Sequence, residues 1–309
     1  MSTPFGPILL VANPSAGRGR NAVLPEVVAA LTKRGIDNVV SVTKGPQDAT
    51  RIAREAVTNR GIRFVVAVGG DGTVNEVVNG LVDAESGEPV AEDLVFGAVA
   101  GGTGCDFVKT FGLDRPIDTV VGHFTTEHLY PIDLGRIRYR DRSGVERVRL
   151  FANIAECGWG AEVTDRVNNL PKLLGQARYP LAILSYARRM QLVETTVTID
   201  HTTISEPMTE VVVANCQFFG SGLKIAPRAI PDDGTFNVQT WRSETADVLR
   251  NLPKARVGEH LSDPKVREYQ SSRVEVSSAE PLLIEADGEV LGTTPATFDV
   301  LEKVLRLKI

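Results

Sequence analysis

Four short apolar runs in the first hundred residues constrain this chain more than any other feature. They are ILLVA (8–12), NVVSVT (38–43), RFVVAV (63–68) and DLVFGAVA (93–100), and three of them lead straight into glycine-bearing loops: NPSAGRG, GGDG and GGTGCDF. Uninterrupted runs of branched residues at this length read as strands buried on both faces. Helical patterns separate them. AVLPEVVAALTKRG stops at Gly35, and ATRIAREAVTNR places Ile52, Ala53, Ala56 and Val57 on one face, with Asp48 as its cap and Gly61 as its stop. A third helix is expected from Thr73. Strands alternating with helices in this way predict an α/β domain with a doubly wound, mainly parallel sheet.

The pattern changes near residue 130. DLGRIRYRDRSGVERVRLFANIA alternates about a Ser-Gly turn and reads as a hairpin; TTVTID (195–200), EVVVANC (210–216), TFNVQT (235–240) and REYQSSRVEVSS (267–278) continue the β character. Asp287-Gly288, set between alternating strands, has the composition of a two-residue hairpin turn. Only about 163–192 and 243–251 look helical here. A β-rich, sandwich-like second domain is therefore expected over 132–299. A length of 309 residues fits two cores better than one.

Composition excludes several classes. A net charge of −5 argues against nucleic acid as the main partner. Cys105, Cys157 and Cys216 form no CxxC pair, and the four histidines have no metalloprotease spacing, so neither a disulfide framework nor a zinc site is expected. The opening MSTPFGPILLVANPSAG lacks a basic leader segment and no run is long enough to span a membrane, which reads as a cytoplasmic chain.

The loops carry the chemistry. In VAVGGDGTVNEVVNG (66–80), Gly69, Gly70 and Gly72 permit close approach of a phosphate to backbone N–H groups at a helix start. Thr73 and Glu76 fit a capping box, and Gly80 reads as the helix end. Asp71 inside an anion cradle makes sense if a cation accompanies the anion: Mg²⁺ is commonly shared between a carboxylate and nucleotide phosphates. Loops 13–19 and 101–106 follow strands too, and in a parallel sheet such loops gather at one edge. Arg18 and Arg20 could add phosphate contacts. There is no P-loop and no dinucleotide fingerprint. For Asp287 and Glu289 spacing alone leaves two readings equal: an ordinary turn with a strand-edge charge, or an acid pair whose Glu289 takes the proton of an attacking hydroxyl.

Taken together, these motifs resemble the diacylglycerol and sphingosine kinase family, nearly end to end. VANPSAGRGR resembles its Asn-Pro loop, VAVGGDGTVNEVVNGL its nucleotide signature, and GGTGCDF its GTxNDF loop, with Cys105 where the pattern has Asn. FANIAECGWGAEV, VVVANCQFFGSGLKIAPRAIPDDGTFNV and EADGEVLGTTP resemble its second-domain signatures. The resemblance implies an ATP- and Mg²⁺-dependent lipid kinase. Asn13, Thr43, Gly69 to Thr73, Asn75, Glu76, Gly102 and Thr103 would hold ATP, with Asp71 acting through Mg²⁺. Glu289 would accept the proton, Asp287 would be a second essential acid, and Asp106 would lie near the substrate hydroxyl. AIPDDGTF would hold a structural Mg²⁺ through Ile230, Asp233 and Thr235, although relatives often carry an acid at the Ile230 position. The last strand would return to the first domain, making it 1–131 plus 300–309. Diacylglycerol is the first expectation for the acceptor; a sphingoid base, ceramide and phosphatidylglycerol stay open. LPKLLGQARYPLAILSYARRMQLV (170–193) reads either as a core helix with a basic side or as an interfacial helix at the inner face of a membrane. An NAD kinase-like or other small-alcohol kinase, and a non-catalytic lipid or nucleotide sensor, are the rival functions.

Overall fold

A computed structural model describes residues 3–14, 23–101, 105–171, 174, 178–186 and 189–309. Arg18, Arg20, Gly102 and Thr103, named above as candidate ligand contacts, lie outside the described residues. The chain forms two compact units: 1–134 with 301–309, and 135–300.

In the first unit the elements are β1 (Ile8–Ala12), α1 (Val23–Lys33), β2 (Asn38–Val42), α2 (Asp48–Arg60), β3 (Phe64–Gly69), α3 (Asp71–Leu81), β4 (Val95–Ala100), α4 (Asp106–Thr110) and α5 (Ile117–His123). β4, β3, β1 and β2 pair in that order, all parallel. The order follows from side-chain chemistry. β1 and β3 are buried at every position, while β2, with half-exposed Val39, Val40 and Val42, takes the edge. The last strand of the chain completes the sheet, Arg306 and Leu307 pairing in parallel with Val95 and Phe96.

Three local expectations fail. Thr73 and Glu76 form no capping box: α3 begins two residues earlier, at Asp71, with Gly70 as its cap residue. Gly80 does not end the helix but lies inside it, against α2, where a Cβ would come within 2.5 Å of the Thr50 carbonyl and 2.8 Å of Ala53 Cβ. Its glycine is a packing requirement between helices. Asp48, likewise, is the first helical residue of α2 and Gln47 the cap.

The second unit contains β5 (Leu129–Asp141, shared at its start with the first unit), β6 (Glu146–Phe151), β7 (Ile154–Gly158), α6 (Trp159–Asn169), α7 (Arg178–Tyr186), β8 (Val193–Ile199), β9 (Thr202–Met208), β10 (Glu210–Ala214), β11 (Phe236–Trp241), α8 (Thr245–Ala255), β12 (Val266–Ser271), β13 (Arg273–Ser278), β14 (Leu283–Ala286) and β15 (Glu289–Lys308). β12, β11, β10, β7, β14 and β15 form one antiparallel layer, and β15, β13, β8 and β9 continue into a second. Inward residues of both layers, among them Val197, Val213, Phe236, Val274 and Phe298, make one buried core, the arrangement of a β-sandwich. The other face of β7 and β10 carries its own apolar cluster, Ile154, Val212 and Ala214 with Phe219, Ile225 and Trp241.

Candidate active site

In the first unit, four chain segments emerge from the carboxyl ends of parallel strands along one row. Register aligns Ala12 with Val42 and with Val68, and Gly69 with Ala100. Backbone bonds carry that alignment one residue further: Thr43 N–H donates to the Ala12 carbonyl, Asn13 N–H to Val68, and Gly101 N–H to Gly69. Asn13, Thr43, Gly70 and Gly101 thus stand side by side at the edge where open α/β sheets bind ligands. α3 begins there, presenting its positive end.

The glycines of the Gly69–Gly72 turn have different reasons to be glycine. At Gly69 a Cβ would sit 2.3 Å from Thr73 Oγ1, so the first turn of α3 lies directly on it. At Gly70 and Gly72 a Cβ would meet nothing within 4 Å among the described residues, and Gly70 has an ordinary extended backbone, φ −97° and ψ −172°. Packing of the described residues does not require these two glycines. An approaching ligand would, since only a missing side chain leaves the backbone accessible to a phosphate.

The acids around this turn are tied into the unit. Asp71 Oδ2 accepts the Asp106 N–H at 3.0 Å and Oδ1 the Phe107 N–H at 2.9 Å, so the carboxylate fastens the start of α4. Glu76 reaches α2, accepting the Gln47 N–H at 2.9 Å and the Ala49 N–H at 3.0 Å. Asn75 is fully buried, and its amide oxygen accepts from Asn79 Nδ2 at 3.3 Å. Asp106 is buried and pairs with Lys109 at 2.6 Å. Cys105 is buried beside them, and burial, reinforced by the Asp71 charge, raises its thiol pKa well above the ordinary value. That holds it as a neutral thiol.

In the second unit the Asp287-Gly288 turn has φ of 50° and 87°, the left-handed pair that a two-residue hairpin demands, and joins β14 to β15. Its two acids differ sharply. Asp287 is buried and accepts three backbone N–H groups, from Ala152 at 2.8 Å, Asn153 at 2.9 Å and Ile154 at 3.2 Å. It clasps the β6–β7 connection. Glu289 has 40% of its side chain exposed and is paired with Arg149 of β6 at 2.6 Å. Arg149 escaped the sequence reading because nothing local marks it; it meets Glu289 only through strand pairing.

At the expected structural Mg²⁺ site, Asp233 Oδ1 accepts both the N–H and the hydroxyl of Thr235, at 3.0 and 2.9 Å. The turn is closed on itself through Oδ1 of its carboxylate. Among the described residues, no three His, Cys, Asp or Glu side chains converge as metal ligands.

Two family profiles match consecutive stretches of the chain. Residues 7–137 match the "Diacylglycerol kinase catalytic domain", and residues 153–309 match the "YegS C-terminal NAD kinase beta sandwich-like domain". The chain belongs to the diacylglycerol kinase-like lipid kinase family. It is similar to the diacylglycerol kinase of Bacillus subtilis (strain 168), 28% identical over 297 residues covering 94% of this chain and 91% of the relative. It is also similar to that of Mycobacterium tuberculosis (strain ATCC 25618 / H37Rv), 28% identical over 311 residues covering 98% and 95%. A solved diacylglycerol kinase from Bacillus anthracis str. Sterne shares the fold, with a TM-score of 0.71 at 20% identity and coverage of 99% of this chain and 97% of that one.

This member of the family also contains, within its second unit, a cavity between the helix-covered face of β7 and β10 and the helices α6, α7 and α8. Its volume is about 80 Å³, and most of its lining is apolar, including Trp159, Val163, Leu252 and Trp241. Sequence patterning could not reveal it, because its lining comes from strands and helices far apart in the chain. Beside it α7 buries Ala182 and Ile183 but leaves Leu181 45% and Leu184 63% exposed. Among the described residues no helix is long and apolar enough to cross a membrane.

Proposed function

We propose that this protein is an ATP- and Mg²⁺-dependent kinase that phosphorylates a lipid hydroxyl, with diacylglycerol as the favoured acceptor. The observation that carries the nucleotide part is the pair Gly70 and Gly72, whose missing side chains serve no packing purpose among the described residues at the edge where α3 begins. The acceptor rests on the relatives named above as diacylglycerol kinases.

Bound ATP with Mg²⁺ supplies the phosphoryl group and neutralises its charge. The chain's own residues do the rest. Backbone N–H groups at the start of α3 hold the phosphates, with Asn13, Thr43 and Gly101 around them. Asp71 keeps the α3–α4 junction closed and acts through Mg²⁺. Asn75 and Glu76 act by fixing α3 and α2 rather than by touching the nucleotide. Glu289, half-exposed and oriented by Arg149, takes the proton from the attacking hydroxyl. Asp287 holds the turn from which Glu289 projects. Asp106, paired with Lys109, positions the acceptor loop. The exposed leucines of α7, Leu181 and Leu184, give the protein a surface for transient contact with the membrane that holds the lipid.

The test is transfer of radiolabelled phosphate from ATP to dispersed diacylglycerol, comparing the wild type with Glu289→Gln. Labelled lipid that disappears in the variant supports the assignment. Equal labelling by both proteins removes Glu289 from the role, and no labelling of any lipid by a protein that binds ATP defeats the kinase reading. Flotation with anionic vesicles tests the membrane contact: Leu184→Glu is expected to reduce recovery in the lipid fraction several-fold.

A further inference from the structure

The turn that carries Glu289 is gripped from outside its own hairpin. Ala286 and Glu289 pair across it, and Asp287 and Gly288 form its tip. Surface turns commonly leave their peptide groups to water. Here the protein takes them. The Asp287 N–H donates to the Ile154 carbonyl at 3.0 Å, and the Gly288 N–H donates to Glu285 Oε2 at 2.9 Å. The Gly288 carbonyl accepts Asn168 Nδ2 of α6 at 3.1 Å. Glu285 and Asn168 therefore hold the two peptides that flank the Gly288 Cα, and the second of these peptides supplies the Glu289 nitrogen.

Both grips belong to one buried seam beneath α6. Glu285 of β14 stands opposite Glu156 of β7 in register, so their side chains share a face. Gly160 of α6 lies on that face: a Cβ there would come within 2.1 Å of Glu210 Oε1 and 2.2 Å of Glu156 Oε2. Positions 160, 164 and 168 follow at four-residue spacing along one side of the helix. That side runs from the carboxyls over Gly160, past Thr164, to the turn under Asn168. Glu156 Oε2, Thr164 Oγ1 and Glu285 Oε1 are each buried without a hydrogen-bond partner among the described residues. Their residues are 4%, 1% and 0% exposed. Unpaired buried oxygens are rare, because each forfeits its hydration. A proton resolves the seam, since a carboxyl that keeps one becomes a donor and supplies the bond a neighbouring oxygen lacks.

We propose that Asn168 and Glu285 are positioning residues for Glu289, clamping Gly288 from both sides, and that Glu285 does so as a carboxylic acid donating its own proton into the seam. The role rests on the assignment of Glu289 as proton acceptor. A general base must keep its oxygen within hydrogen-bond reach of the attacking hydroxyl, so the backbone from which it projects has to stay put. The surroundings favour the acid form. Burial, then the charges of Asp287 and Glu210, pushes the Glu285 carboxyl well up against the opposing pull of the Gly288 N–H, and Glu156 across the register is pushed up by burial too. The other charged groups nearby bring no base: Glu162 acts on Glu210, Asp165 is paired with Arg142 at 2.8 Å, Arg166 is exposed, and Glu289 of β15 is held by Arg149. The proton is present at neutral pH and lost on the alkaline side. Ionised Glu285 then repels Asp287 and Glu210, and the clamp loosens as pH rises.

Three variants of the full chain separate the parts. Glu285→Gln copies the neutral acid, its amide oxygen accepting from Gly288 and its NH₂ donating into the seam. Glu285→Met keeps the bulk and removes both bonds. Asn168→Ala cuts the other grip at an exposed position. Phosphate transfer to diacylglycerol is followed from neutral to alkaline pH, beside hydrogen–deuterium exchange of the peptide containing Gly288 and Glu289. Asn168→Ala and Glu285→Met should each lose about ten-fold or more in kcat, with KM for ATP and lipid within about two-fold of the wild type. Exchange at the turn should rise several-fold in both. Glu285→Gln should recover kcat to within about three-fold and lack the extra alkaline loss of the wild type. Wild-type kcat and exchange in Asn168→Ala, a defect confined to KM, a Glu285→Gln protein as impaired as Glu285→Met, or identical pH profiles for the wild type and Glu285→Gln would each overturn the proposal. Asn168→Ala and the Glu285→Gln profile keep the test decisive if Glu285→Met does not fold. A wild type that labels no lipid defeats the kinase reading, and the clamp is then decided by exchange at the turn, which overturns it if Asn168→Ala leaves protection unchanged.

Discussion

Replacing Asp287 by Asn separates anchoring from chemistry within one turn. Asn tolerates the left-handed backbone that Asp287 holds at φ 50°, and Asn-Gly is as favourable a two-residue turn as Asp-Gly. The change therefore isolates the carboxylate. In the wild type it accepts N–H groups from Ala152, Asn153 and Ile154 in a buried setting. An Asn amide oxygen can keep Asn153 and Ile154, which share Oδ1, but its NH₂ faces the Ala152 N–H that Oδ2 accepted. One charge-assisted bond worth about 1.5–3 kcal/mol is lost, and a buried donor is left opposite a donor at about 1 kcal/mol more. A loss of about 2–4 kcal/mol in a unit of this size lowers its melting temperature by roughly 5–12 °C. Glu289→Gln should cost almost nothing, since a half-exposed ion pair contributes about 0–1 kcal/mol. Thermal unfolding followed by circular dichroism, run beside phosphate transfer, reads both. The expected pattern is a destabilised Asp287→Asn protein with activity recoverable at low temperature, and a fully stable Glu289→Gln protein with none. An Asp287→Asn protein that melts within about 2 °C of the wild type yet has no activity would refute the anchoring argument and give Asp287 a direct role.

Further expectations follow from the same geometry. Gly70→Ala should melt like the wild type but bind ATP at least ten-fold more weakly by calorimetry, while Gly69→Ala, whose Cβ would lie 2.3 Å from Thr73 Oγ1, should destabilise the first unit by about 1–3 kcal/mol. Gly80→Ala should also destabilise by about 1–3 kcal/mol through the α2 contact, although an exposed helical position would gain from the change. Glu76→Gln should cost about 1 kcal/mol in chemical unfolding, because its carboxylate closes the start of α2. Glu210, with a folded-state pKa raised to about 8, binds protons more tightly folded than unfolded; its stabilisation is full below the unfolded carboxylate range and is lost as pH rises towards 8. Stability measured from pH 5 to 8 should therefore fall less steeply in Glu210→Gln.

The strands of the first unit were legible because each is a run of branched residues long enough for one buried strand and closed by a turn residue. The hairpin at Asp287-Gly288 was legible because two residues with positive φ demand that dipeptide. What the sequence concealed were commitments between distant segments. Thr73 and Glu76 have capping-box spacing, yet Glu76 gains more by satisfying two orphan N–H groups of α2 than one of its own helix. A reciprocal box does form at α8, between Glu244 and Asp247, where an acid occupies both positions. Gly80 looked like a stop signal because close helix packing leaves no local pattern. Nothing in the sequence singles out Glu156, Glu210 and Glu285, since alternation predicts which face a residue takes but not what covers that face.

The acids in the signature motifs share a property that bears on how their loss should be read. Asp71 fastens α4, Glu76 fastens α2, and Asp287 fastens the β6–β7 connection, each through two or three backbone N–H groups. A carboxylate is suited to this because it accepts several donors at once and needs none in return. Removing any of the three loosens a loop beside the proposed chemistry, so lost activity in such a variant does not by itself assign a catalytic role. Glu289 is different. Its side chain is 40% exposed and pairs with the Arg149 side chain at 2.6 Å. Neutralising one member of such a half-exposed ion pair costs about 0–1 kcal/mol. A kinetic defect in Glu289→Gln at unchanged stability therefore bears on proton transfer, and the same defect in the other three bears first on architecture.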